Sequence, residues 1–181
     1  MRMRFELSGM ALVAAVLVCA AALRGLQAPP QYKGKEEVLP KAVAPQPIAF
    51  SHRVHSASGA TCLDCHTGAK EKERAGLPGP VRCMFCHRAI KKDTAEIQKL
   101  AALQREEKKL NWVRVYQTPD FVFFSHASHV NGGIDCQTCH GPVKERDVLA
   151  KEVSTSMTAC MNCHAAKKIS NDCHFCHTLG Y

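Results

Sequence analysis

Read from its N-terminus, the chain begins with a marked contrast in polarity. Arg2 and Arg4 precede an apolar run from Leu7 to Leu23, which Arg24 closes. A positive start, an apolar stretch and small residues at Ala20, Ala21 and Ala22 mark an export signal. The run only reaches the lower limit for a membrane span, about 17 residues, so cleavage and retention as an anchor both stay open. An anchor would keep the positive end in the cytoplasm and carry the rest across. Cys19 follows Val18 instead of the small residue a lipoprotein site wants, so lipidation is not expected. Residues 27–47 are rich in proline and polar residues and read as an extended tether with no core of its own. Further on, Ile97, Leu100, Ala101 and Leu110 are spaced for one apolar helix face, and Asp93 with Glu96 reads as a capping box. This predicts a linker helix of roughly four to five turns with its charges on a solvated face. The stretch WVRVYQTPDFVFF, ending at Phe124, alternates and then runs apolar, suited to packing on an apolar surface.

The chain also repeats itself. Residues 50–66, FSHRVHSASGATCLDCH, and residues 124–140, FSHASHVNGGIDCQTCH, align without a gap. A further Cys-x-x-Cys-His follows in each part, and a third closes the second part. Ten of the eleven cysteines therefore form five pairs: Cys62/Cys65, Cys83/Cys86, Cys136/Cys139, Cys160/Cys163 and Cys173/Cys176. Each pair is followed at once by His66, His87, His140, His164 or His177. Cys-x-x-Cys-His is the attachment signature of a c-type haem: two thiols add to the haem vinyl groups and the next imidazole ligates the iron. Zinc ribbons also use paired Cys-x-x-Cys, and disulfides suit an exported chain, but neither places a histidine after all five pairs. The expected cofactor is five haem c, two in a half spanning 48–90 and three in a half spanning 119–181. Residues 91–118 form the linker helix and connector, and 1–26 the signal or anchor.

Ten histidines are present, and the five outside the motifs, His52, His55, His126, His129 and His174, match the five axial positions left over. Residues i and i+3 of a helical turn share a face but diverge, so a His-x-x-His pair can cap two irons. His52 is assigned to the haem on Cys62/Cys65 and His126 to that on Cys136/Cys139. His55 and His129 then reach the second haem of their own halves. His174 lies in the loop that wraps its own haem, so it is expected to point to a neighbour's iron. At least one ligand must then cross between groups; which one is open. Met84, Met157 and Met161 stand as substitutes that would raise a potential.

Aromatic content is 6%, too little bulk for an ordinary core. The expectation is a mainly α fold with extensive loops, little sheet and a core formed by haems. The formal charge of +8 could suggest nucleic acid or anionic membrane, but two propionates per haem bring about ten negative charges. No nucleic acid is expected as a partner.

The layout Phe-x-His-x-x-His…Cys-x-x-Cys-His resembles class III multihaem cytochromes c, and the second half looks most like their three-haem members. The two-plus-three arrangement, the stretch NWVRVYQTPDFVFFSHASHVNGGIDCQTCHGPV and the single N-terminal apolar segment resemble the pentahaem cytochrome c subunit of alternative complex III. That resemblance implies electron relay within a menaquinol-oxidising complex, onward to a monohaem cytochrome or terminal oxidase. It also implies an N-terminal helix kept in the cytoplasmic membrane, with the haem part on its periplasmic side. The rival readings are a free or singly tethered periplasmic carrier, a quinol dehydrogenase in its own right, and a multihaem reductase with one open haem. No Cys-x-x-Cys-Lys motif is present to flag a reductase.

Overall fold

The computed structural model describes residues 29–35, 37–41 and 45–177. The apolar run predicted as a signal or anchor, with Cys19, lies outside them. Among the described residues no helix is long and apolar enough to cross a membrane.

The described chain is mainly α-helical with extensive loops. Its helices are α1 (His52–Ala57), α2 (Cys62–Cys65), α3 (Pro80–His87), α4 (Ala95–Arg105), α5 (His126–Asn131), α6 (Gln137–His140) and α7 (Met157–Ala166). Short 3-10 turns occur at Thr67–Lys70, Val143–Glu145 and Cys173–Phe175. Among the described residues β-structure is limited to isolated bridges, Lys41 with Lys151 and Val122 with His177.

The repeated sequence folds twice by the same local rules. Ser51 caps α1 by accepting from the Val54 N–H, and Ser125 caps α5 by accepting from the Ser128 N–H, each at 3.1 Å. Both helices close in a left-handed glycine, Gly59 (φ 89°) and Gly133 (φ 77°). The next residue's N–H, of Ala60 or Ile134, bonds to the carbonyl of His55 or His129 at 3.0 Å. Each His-x-x-His segment is therefore one short helix tied at both ends.

The repeats are related across their contact as the two sides of a pseudo-twofold. The Arg53 N–H bonds to the Arg146 carbonyl, and the equivalent Ala127 N–H bonds to the equivalent Lys72 carbonyl. Each His-x-x-His helix thus packs on the turn that follows the other half's first cysteine pair, an isologous arrangement within one chain. The exposed Arg53–Asp147 pair, 2.6 Å apart, lies along this contact.

Helix α4 departs from the expected linker. It has 11 residues, about three turns, and Thr94, not Asp93, is its N-cap residue. The Glu96 carboxylate accepts from the Ala49 N–H at 3.2 Å instead of closing a capping box. The helix stops early because Glu107 turns left-handed (φ 53°) and the Lys108 N–H returns to the Leu103 carbonyl at 2.8 Å. Leu110, predicted on the helix face, lies beyond its end. It still joins Ile48, Ile97 and Leu100 in the main buried cluster, flanked by Cys83, Met84, Leu103 and Trp112. So α4 packs into the two-motif half. The Trp112 indole N–H bonds to the Pro78 carbonyl at 2.8 Å.

Residues 29–35 and 37–41 of the predicted tether are docked. The Asn162 carboxamide on α7 accepts from the Tyr32 N–H (2.6 Å) and donates to the Tyr32 carbonyl (3.1 Å), pairing as a strand neighbour would. Glu37 is clamped between Lys41 and Lys151 at 2.6 and 2.7 Å. The segment lacks a core of its own, as its composition implies, but it borrows partners from the second half.

Candidate functional site

The histidines come together in facing pairs. The ring centroids of His55 and His87 are 6.0 Å apart, those of His126 and His140 6.3 Å, and those of His129 and His164 6.2 Å. Two metal–nitrogen bonds of about 2 Å plus the inner halves of two imidazoles span about 6 Å, so one iron fits between each pair. His52 is also close to His66: burial pushes its imidazole down to about 4, and the neighbouring His66 and His55 push the same way. Burial, then His126 and His66, pushes His140 down as well. Neutral imidazoles are the form that ligates a metal.

Backbone carbonyls select the ring nitrogen that remains available. The Nδ1 atoms of His55 and His129 face the Ser51 and Ser125 carbonyls at 2.7 and 2.8 Å. Those of His66 and His126 face Gly76 and Glu73 at 2.7 and 2.8 Å. His87, His164 and His177 face Ile90, Ser170 and Phe121 at 3.2, 3.3 and 3.1 Å. A carbonyl only accepts, so each of these Nδ1 atoms carries the proton and Nε2 keeps its lone pair. Seven imidazoles are thereby left with Nε2 as the atom free to coordinate. The His52 Nδ1 is buried without a partner.

The cysteine pairs line up in an order different from the sequence. Burial raises the Cys83 thiol pKa, with neighbouring Cys65 adding to it, and Cys65 in turn lies near Cys86. Burial and the adjoining Cys62 raise Cys136. Burial also raises Cys139 and Cys160, with Cys163 near the first and Cys139 and Cys176 near the second. The motifs therefore adjoin in the series 83/86, 62/65, 136/139, 160/163, 173/176. Cys62 and Cys136, equivalent positions of the repeat, meet at its centre.

The donor set fits haem c. The ten described cysteines are all free thiols, and paired imidazoles present Nε2 at the span one iron requires. Among the described residues no group of three or more His, Cys, Asp or Glu side chains is placed to hold a metal ion by itself, so the pairs do not converge on the four-ligand geometry of zinc.

Three kinds of residue escape a reading of the motifs. Phe50 stacks on His55 (4.3 Å) and meets His52 edge-on (4.8 Å); Phe124 lies tilted over His129 (4.6 Å) and meets His126 edge-on (4.8 Å). One phenyl ring thus orients both imidazoles of its helix. Ser51 and Ser125 cap that helix and supply the carbonyl to its second histidine. The recurrence of Phe-Ser-His marked all four. Tyr116 had no such signal: its hydroxyl accepts from the Glu152 and Val153 N–H groups and donates to the His140 carbonyl, with its ring edge-on to His140 at 4.6 Å.

His174, expected to reach a neighbour's iron, is not part of a facing pair. It is exposed in the last 3-10 turn, and no described imidazole stacks on it. The structure faces His87, His140 and His164 with His55, His126 and His129 and brings His52 into the neighbourhood of His66; beside His177 it places Phe121, stacked at 5.8 Å.

Comparison with known proteins agrees with this donor set. Residues 122–178 match the family described as cytochrome c7 and related cytochrome c. The chain is also 31% identical over 160 residues to the menaquinone reductase multihaem cytochrome c subunit of Nitratidesulfovibrio vulgaris (strain Hildenborough), covering 73% of this chain and 76% of that one.

Proposed function

This chain belongs to the multihaem cytochrome c family, and we propose that it holds five haems and serves as the exported relay subunit of a membrane complex acting on quinone. The observation that carries the reading is the set of facing imidazoles on an unbroken series of cysteine pairs. Bound haem supplies one-electron redox chemistry. The chain's own residues do the rest. Cys62, Cys65, Cys83, Cys86, Cys136, Cys139, Cys160, Cys163, Cys173 and Cys176 would hold the groups covalently. His66, His87, His140, His164 and His177 would supply one imidazole to each group, and His52, His55, His126 and His129 a second imidazole to four of them. Phe50 and Phe124 keep the imidazoles of the two His-x-x-His helices in line, and backbone carbonyls keep the proton on Nδ1 in seven of the nine. With two imidazoles available to each of four centres, those centres would have no place for substrate, which favours electron transfer over bond chemistry.

Quinone as the partner is supported by the relative's name, that of a menaquinone reductase subunit. The finer reading, a subunit of the menaquinol-oxidising alternative complex III delivering to a monohaem cytochrome or terminal oxidase, rests on the two-plus-three motif plan. A relay conducts both ways, so donor and acceptor potentials decide between quinone reduction and quinol oxidation. Anchoring by residues 1–26 in the cytoplasmic membrane, haem part outside, belongs to the same proposal.

The test is haem-stained native electrophoresis of membranes extracted in mild detergent, with mass spectrometry of the band. Co-migration with polytopic and redox subunits is expected, and menaquinone or menaquinol added to that band gives the direction. Migration near the chain's own mass, or recovery in the soluble fraction, would leave a free or singly tethered carrier.

A further inference from the structure

The pseudo-twofold accounts for four motifs and leaves the fifth without a counterpart. Each repeat contributes one His-x-x-His helix; three of the four imidazoles face a motif histidine of the same half, and the fourth, His52, lies near His66 of its own half. All ten histidines lie among the described residues, so the inventory closes: His174 alone remains for His177. It is poorly placed to serve. It sits between Cys173 and Cys176 in the loop that would wrap its own haem, its backbone N–H is held by Asp172 at 2.9 Å, and its side chain is exposed. His177 itself is fastened from behind, with Nδ1 on the Phe121 carbonyl and its ring stacked on Phe121. Its Nε2 is therefore ready to ligate, with no described imidazole across from it.

We propose that the fifth centre, on Cys173, Cys176 and His177, is a ligand-accessible haem site whose outer axial position takes a small donor from outside the chain. The ligand class is carbon monoxide on reduced iron and imidazole or azide on oxidised iron. The inference rests on the five-haem reading above and adds an asymmetry to it. Four histidine-capped centres form the duplicated relay, and the one that admits a ligand sits at a terminus of the series, next to Cys160. A ligand there would block one end of the relay and leave the other four centres untouched.

The experiment uses the full-length haem-loaded chain and its His174→Ala variant. Total haem per chain and the mass of the Cys173–His177 peptide are measured first. A bare Cys173–Cys176 peptide would defeat the five-haem reading and this proposal together, in a readout separate from ligand binding. Carbon monoxide is then titrated into the reduced protein and followed in the Soret band. In the oxidised protein, imidazole is titrated against the high-spin electron paramagnetic resonance signal. The expected result is about one carbon monoxide per five haems, one high-spin centre converted by imidazole, and the same values in His174→Ala. Carbon monoxide binding by the variant but not by the intact chain would show His174 to be the cap. Absence of binding in both would show another residue, such as a methionine, in that role. Either result overturns the proposal.

Discussion

Replacing Glu37 with glutamine should release the segment that joins the N-terminus to the haem-binding unit. Glu37 is 13% exposed and its two ammonium partners differ: Lys151 is 12% exposed, Lys41 56%. Hydrogen bonds from Lys151, then Lys41, hold its carboxyl down to about 2 from an ordinary 4.5. In free energy that drop is worth about 3 kcal/mol at most. Residual solvent and the open side at Lys41 reduce it, and about 1 to 3 kcal/mol is the expected contribution to docking. The carboxamide of the Glu37→Gln variant would keep the shape and an acceptor oxygen but leave the Lys151 ammonium uncompensated. Opening of the docked segment should therefore rise about 5- to 150-fold. Because the docked carboxyl has the lower pKa, its contribution is complete above pH 4.5 and fades as the pH falls toward 2. Hydrogen exchange of the Tyr32 and Lys41 amides, which bond to Asn162 and Lys151, reports this directly. Equal protection of both amides in E37Q and the parent protein at about pH 7 would refute the reasoning.

Three further outcomes follow from other parts of the molecule. His129→Met replaces one member of the His129–His164 pair with a thioether, so the centre on that pair should move to higher potential in a redox titration while the rest stay in place. Leu100→Ala, at a residue only 2% exposed in a very small core, should cost about 2–5 kcal/mol in chemical unfolding. Tyr116→Phe leaves the Glu152 and Val153 N–H groups without their shared acceptor and should cost about 1–3 kcal/mol. It should also perturb the spectrum of the centre on His140 before the others.

The sequence by itself determined what is written in contiguous residues. Cys-x-x-Cys-His carries both attachment and ligation within five positions, so five sites could be named without a fold. The ungapped repeat of Phe-Ser-His-x-x-His named the candidate outer ligands, because a three-residue spacing on one helical turn already places two imidazoles on one face. The helical, loop-rich class followed from scarce aromatics and abundant cofactor motifs. Tertiary structure decided everything that depends on which distant segments meet. The crossed packing of the two repeats, with Arg53 on Arg146 and Ala127 on Lys72, is invisible along the chain because each half satisfies its backbone with the other. Helix α4 ended earlier than its apolar spacing suggested, since Leu110 reaches the same core from beyond a left-handed turn at Glu107. The tether looked unpartnered because its partners, Lys151 and Asn162, are more than a hundred residues away. His174 matched the count of ligands needed, but a count carries no direction, and its place in the last 3-10 turn, away from the facing pairs, came from the fold.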